Sequence, residues 1–141
     1  MIQNIQYGSA YNDATNSTES LLLDIHLPPD SDTRESKPAI VFIHGGGFIF
    51  GNKSMTDDMN FLNEFLIRGY AAVSIDYRLT GRYWPAETER AILDAVEDAR
   101  AAVRFLRKNA QQYGLDTDRI TVMGDSAGAV TSLYLGYAAN A

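Results

Sequence analysis

The chain has 141 residues, 45% of them hydrophobic and 11% aromatic, enough for one compact core and too few for two domains. A net charge of −6 disfavours a phosphate-binding surface, and the absence of cysteine excludes disulfides, thiolate metal sites and a cysteine nucleophile. Two histidines, His26 and His44, are too few for a multi-histidine metal centre.

Residues 2–7 alternate apolar and polar side chains and predict a strand, followed by a polar turn region at 9–18. Residues 21–27 predict a second strand, stopped by Pro28-Pro29-Asp30. After a charged loop, residues 38–43 form a continuous β-branched and aromatic run, the pattern of a parallel strand buried on both faces. Met59, Leu62, Phe65 and Leu66 recur at helical spacing before Gly69, and residues 70–75 again predict a strand. Ile92, Ala95, Val96, Ala99, Val103 and Leu106 form one stripe of a long helix over 89–108. Residues 120–123 predict the last strand, and 127–139 a final helix rich in small residues. Strands alternating with helices after an initial hairpin-like pair imply an α/β fold: a mostly parallel central sheet flanked by helices.

Partners are narrowed by the same pattern. Arg100, Arg104, Arg107 and Lys108 share their helix with Glu89, Asp94, Glu97 and Asp98, so the basic residues predict a solvated helix face rather than a nucleic-acid surface. No apolar run reaches the roughly 18 residues of a membrane span. Residues 1–8 lack the basic start and apolar stretch of an export signal, so the expected location is the cytoplasm.

Chemistry concentrates in two short motifs. Gly124-Asp125-Ser126-Ala127-Gly128 lies between the last strand and the last helix, the place of a nucleophile elbow. A sharp strand-to-helix turn strains the serine backbone and crowds the positions two residues either side, so glycine is needed at both. Ser126 is the candidate nucleophile; the alternative is a tight turn whose serine merely caps the helix. His44-Gly45-Gly46-Gly47 follows the third strand. Consecutive glycines bare backbone N–H groups, and acyl transfer needs such donors for the negative charge that builds on a carbonyl oxygen. Gly45 and Gly46 are the candidate donors from this loop, with Ala127 N–H completing the oxyanion hole and His44 orienting the loop. A phosphate cradle is disfavoured, because neither Gly-Lys-Ser/Thr nor Gly-x-Gly-x-x-Gly occurs. Nothing in these motifs calls for a cofactor or a metal.

Both motifs, in this order and each after a buried strand, resemble the N-terminal part of an α/β-hydrolase of the hormone-sensitive-lipase and carboxylesterase type. The resemblance extends to Asp76-Tyr77-Arg78-Leu79 and the long helix, and covers nearly all of residues 20–138. It implies a serine hydrolase of carboxylic esters that forms an acyl-enzyme on Ser126. Phe48, Phe50 and Trp84 are candidate pocket walls, with core packing the commoner role for each. The elbow continues as Gly128-Ala129-Val130 where many members have a second glycine and asparagine, and residues 80–85 depart from the usual proline-rich sequence.

In α/β-hydrolases the acid and the histidine follow the nucleophile, yet residues 127–141 contain no Asp, Glu or His. Upstream substitutes fit poorly: His44 heads the oxyanion loop, His26 lies in an early strand, Asp125 points away from its neighbour on a tight elbow, and Asp76 has no histidine to pair with. Residues 1–141 therefore read as the N-terminal part of a single domain, truncated after the elbow helix and inactive alone. Its last strand is expected to keep an unpaired edge, open to association or to a C-terminal segment. The alternative reading is a non-catalytic ligand-binding or interaction protein on the same scaffold.

Overall fold

The computed structural model describes residues 1–82 and 85–138. In chain order its elements are β1 (Ile2–Asn12), β2 (Ser17–His26), β3 (Lys37–Ile43), α1 (Thr56–Leu66), β4 (Ala71–Ile75), α2 (Pro85–Lys108), α3 (Ala110–Tyr113), β5 (Leu115–Gly124) and α4 (Ala127–Tyr137). The strands form one sheet in the order β1-β2-β4-β3-β5. β1 pairs antiparallel with β2, and β2 antiparallel with β4, whereas β3 runs parallel to both β4 and β5. The parallel part foreseen from the apolar runs is thus β4-β3-β5, and the N-terminal hairpin makes the sheet mixed.

Side-chain alternation along the strands sends residues to two cores. Val41, Ile43, Val73 and Ile75 face one side with Leu23 and Ile25, where Ala91, Ala95, Ala99, Ala102 and Leu106 of α2 cover them. Alanine at successive turns lets the α2 backbone approach the sheet closely, and Leu106 fills the far end. Ile40, Phe42 and Ala72 face the other side, beneath Leu62, Met59 and Phe65 of α1. Leu62 is fully buried, a transfer that stabilises the fold by about 1.5–3 kcal/mol.

Several boundaries differ from expectation. β1 continues to Asn12 and β2 resumes at Ser17, so the turn is tighter than the polar stretch suggested, with Asn16 at φ 55. α2 begins at Pro85, four residues before the periodic stripe, because proline is tolerated in a first turn whose N–H groups have no intrahelical acceptor. The short α3 was not foreseen; it ends at Gly114 in the left-handed region, φ 64. β5 starts at Leu115, and its pairing with β3 slips between Lys37 and Ala39 before becoming regular. Among the described residues no helix is long and apolar enough to cross a membrane.

Candidate active site

β3 and β5 are parallel neighbours with Ile43 opposite Gly124, so the residues that leave their carboxyl ends emerge side by side. His44 to Gly46 follow one strand and Asp125 to Ala127 the other. Open α/β sheets place ligands at such ends.

Ser126 is exposed and has φ 48 and ψ −114, a left-handed backbone that costs a non-glycine residue on the order of 1–3 kcal/mol. The surrounding turn enforces it. A Cβ at Gly124 or at Gly128 would run into the Ile43 carbonyl, so both glycines let the elbow press against the end of β3. The Gly128 N–H donates to Asp125 O at 2.8 Å and the Val130 N–H to Ser126 O at 3.1 Å, closing the first turn of α4. Ser126 makes no side-chain capping bond to that helix, which contradicts the capping alternative and leaves its hydroxyl uncommitted to the helix. The Asp125 carboxylate turns instead toward the glycine loop, where a Cβ at Gly45 would strike it.

The glycine loop is built from left-handed positions: Gly46 at φ 114, Gly47 at φ 63, Phe48 at φ 65 and Gly51 at φ 111. Ile49 and Phe50 N–H groups donate to Gly46 O at 3.0 and 3.2 Å, folding the loop into a tight turn. His44 is buried, and its Nδ1 lies 2.7 Å from Gly45 O; a carbonyl only accepts, so Nδ1 carries the proton. Its ring stacks on Tyr77 at 4.4 Å, and the Tyr77 hydroxyl donates to His44 O at 2.7 Å. Among the described residues, the Gly45, Gly46 and Ala127 amides donate to no acceptor of the chain. Those amides are the kind of unspent donors an oxyanion would take.

The local field is acidic. Burial, reinforced by the Asp125 charge, lifts the Asp58 carboxyl above its ordinary value despite a counter-pull from His44. Burial likewise raises the Tyr77 phenol, with Asp125 and Asp58 adding, so Tyr77 stays a neutral donor. Among the described residues no group of three or more His, Asp or Glu is gathered for a metal ion.

Other sequence candidates fall elsewhere. Phe48 is buried and packs edge-on against Tyr77 at 6.4 Å, because its left-handed backbone turns the ring into the core rather than along an open wall. Phe50 is 63% exposed, and Trp84 lies outside the described residues. His26 ends β2 opposite Ala72. Asp76 accepts the Lys53 N–H at 2.7 Å.

Sequence reasoning missed the groups that brace the loop. Thr80 N–H donates to Phe48 O at 2.8 Å. Lys53 Nζ meets Asp24 Oδ2 at 2.9 Å, both side chains buried. Arg78 is buried against Asp98 at 2.8 Å and Asp94 at 3.1 Å and donates to Tyr11 O at 3.0 Å, tying the segment after β4 to α2 and to β1. The signal was present: Asp24 lies between Leu23 and Ile25 in the apolar half of its strand, and a buried charge demands a partner.

With this geometry in place, the likeness to known proteins is consistent across sequence and structure. The BD-FAE family model matches residues 23–141. The chain is 36% identical over 105 residues to Esterase LipI of Mycobacterium tuberculosis, covering 74% of this chain and 30% of that protein. It is 37% identical over 121 residues to human Arylacetamide deacetylase-like 2, covering 79% and 27%, and 30% identical over 114 residues to the Ethyl acetate hydrolase of Pseudomonas putida, covering 81% and 33%. Among solved structures it is similar to Thermogutta terrifontis esterase 2 phosphonylated by cyclosarin, with a TM-score of 0.73 and 27% identity over 94% of this chain and 46% of that one. The propionate-bound form of that esterase matches at 0.73 and 29%, covering 94% and 44%. The chain thus spans a third or less of these curated relatives and under half of the solved esterase. A strained, exposed serine between two obligatory glycines, beside a glycine loop with open amides, sits in a chain that belongs to the BD-FAE family of α/β-hydrolase, carboxylesterase-like proteins.

Proposed function

We propose that this chain carries the nucleophile and the oxyanion hole of a serine carboxylesterase. Ser126 Oγ attacks the ester carbonyl carbon, and the oxygen, now negative, is held by the Gly45, Gly46 and Ala127 N–H groups. Collapse of that intermediate breaks the bond to the alcohol oxygen, which leaves with a proton, and a water then releases the acid from Ser126. His44 orients the loop through Gly45 O rather than serving as base. The base and its acid partner come from polypeptide outside residues 1–141, so the chain alone turns over no ester.

One observation carries this reading: Ser126 keeps a costly left-handed backbone, exposed and free of a capping role, where the ends of β3 and β5 meet. A non-catalytic binding protein has no use for that strain. The relatives' names support ester substrates, and the propionate-bound neighbour supports a small acyl group.

The docking surface for the remaining polypeptide is proposed at the outer edge of β5 and the outer face of α4. α4 leaves Leu133 60% and Tyr137 86% exposed. Beside it, a groove of ≈ 510 Å³ is lined by Arg100, Val103, Arg104, Ile120, Val122 and Leu135. An added strand would pair with β5 while acidic side chains met the arginines.

The test is p-nitrophenyl ester hydrolysis by the complete hydrolase and by Ser126→Ala. Loss of about 10⁶-fold in kcat is expected, and undiminished turnover by the variant would overturn the assignment. Added alcohol distinguishes hydrolysis, which yields only acid, from acyl transfer, which yields a new ester.

A further inference from the structure

We infer that the buried Lys53–Asp24 ion pair is a positioning device for the oxyanion loop, an inference that rests on the esterase reading of that loop. Residues 44–53 leave β3 and cross four left-handed positions before reaching Lys53. A glycine-rich segment of this kind loses more conformational entropy on ordering than any other, so the direction of its N–H groups depends on anchors at both ends. The upstream anchors come from the segment after β4: the Tyr77 hydroxyl on His44 O, and Thr80 N–H on Phe48 O.

Lys53 is the downstream anchor, held twice. Its backbone N–H donates to Asp76 Oδ1 at 2.7 Å, and its ammonium donates to Asp24 Oδ2 at 2.9 Å. Asp24 is itself fixed near the C-terminal end of β2, opposite Ser74, with its other oxygen accepting the Asn4 N–H at 2.7 Å. Both carboxylate oxygens are thereby directed. Lysine and aspartate retain only 9% and 2% of their side-chain exposure. Removing two charges from water offsets most of their attraction, and an apolar pair of similar volume would be as stabilising or more so. What the ion pair adds is a single allowed place for Lys53.

That place is transmitted to the donors through close contacts. Two residues upstream of Lys53, Gly51 lies so near the His44 imidazole that a Cβ there would collide with Nδ1. The same Nδ1 donates to Gly45 O at 2.7 Å. Gly45 C=O and Gly46 N–H belong to one planar trans peptide, so holding the carbonyl on one side aims the Gly46 N–H to the other. Lys53 and Asp24 are positioning residues: they touch no substrate and act through Gly51 and His44 on the direction of one oxyanion donor.

The test uses Lys53→Met, Asp24→Leu and the double variant in the complete hydrolase, with Tm, steady-state kinetics on a p-nitrophenyl ester and hydrogen exchange of amides 45–52. Each single variant strands or deletes a buried charge and lowers Tm, while the double variant regains Tm. Positioning predicts that the double variant keeps KM within about twofold but loses about 10- to 100-fold in kcat, the cost of a misplacement near 1 Å, with loop amides exchanging about tenfold faster. Recovery of kcat and of wild-type exchange together with Tm would overturn it, leaving a pair that serves stability alone. Should the double variant not fold, Asp24→Asn, which keeps the side-chain shape and an acceptor for Asn4, is read by the same kcat-to-KM split and the same exchange. If the wild-type hydrolase turns over no ester, the esterase reading fails by itself; faster exchange then still upholds the anchor, and unchanged exchange rejects it.

Discussion

Strands β3 and β5 are parallel neighbours that pair Ala39 to Ile43 against Ile120 to Gly124, yet the sheet treats them differently. Val41 and Ile43 of β3, like Val73 and Ile75 of β4, are fully buried beneath α2, while Ile40 and Phe42 are buried beneath α1. β5 is mostly half-exposed along its length, and α4 behind it leaves Val130 40%, Leu133 60% and Tyr134 46% exposed. The difference has two sources: β5 opens with Asp116, Asp118 and Arg119 where β3 runs apolar, and fewer layers cover its apolar end. A helix apolar all round is the kind found inside a larger core. The proposed catalytic constellation straddles this divide: the proposed oxyanion loop hangs from the covered half, braced by Tyr77, Thr80 and Lys53, whereas Ser126 hangs from the less covered half.

The sharpest way to separate the halves is by what each loss affects. Ser126→Ala, on the open half, removes about 10⁶-fold of kcat in the complete hydrolase while Tm stays within a few degrees, checked by steady-state kinetics beside calorimetry. Leu62→Ala, in the covered half, costs about 2–5 kcal/mol by chemical denaturation of residues 1–141 by themselves, whereas Leu133→Ala, on the face of α4 exposed there, stays within about 0.5 kcal/mol. Equal losses at the two leucines would erase the distinction. Gly128→Ala sits where the halves touch and pushes a methyl into the Ile43 carbonyl. It should cost about 3 kcal/mol of stability and depress activity together, measured on one preparation.

The smallest effect is a pH dependence. Burial holds His26 below its ordinary 6.5, against Asp24, which pulls upward, and with the N-terminus and Lys53 adding to the depression. The folded state therefore binds this proton less readily than the unfolded chain. The stability it contributes is complete above about pH 6.5 and is lost as pH falls below that value. Asp58 and Asp94, both raised chiefly by burial, act in the opposite sense at lower pH, since protonation relieves them. Tm followed from about pH 7.5 to about pH 5.5 should drop more steeply in wild type than in His26→Asn. Parallel curves would contradict the assignment.

Much of this fold was legible because its causes are local. Residues 38–43 and 70–75 announce buried parallel strands by having no polar face to show. Gly124 and Gly128 flanking Ser126 announce an elbow, since only a sharp turn needs glycine at both places, although the collision they avoid, with Ile43 O of another strand, is invisible in the pentapeptide. What escaped is long-range. Lys53 and Asp24 stand 29 residues apart, and Arg78 and Asp98 20 apart, so no periodicity or spacing pairs them. Asp24 within its apolar run was a clue that a partner existed, not which one. Phe48 reads from sequence as a pocket wall or a core residue, and its left-handed backbone and buried ring place it in the core.

Ser126 is the proposed nucleophile of an esterase site shared between the two halves. The most direct test of that role is peptide mass spectrometry of the complete hydrolase after treatment with a fluorophosphonate. A single adduct on the peptide bearing Ser126, absent in Ser126→Ala and slowed in the double variant at Lys53 and Asp24, is the expected result. An adduct on another serine, or undiminished labelling of Ser126→Ala, would contradict it.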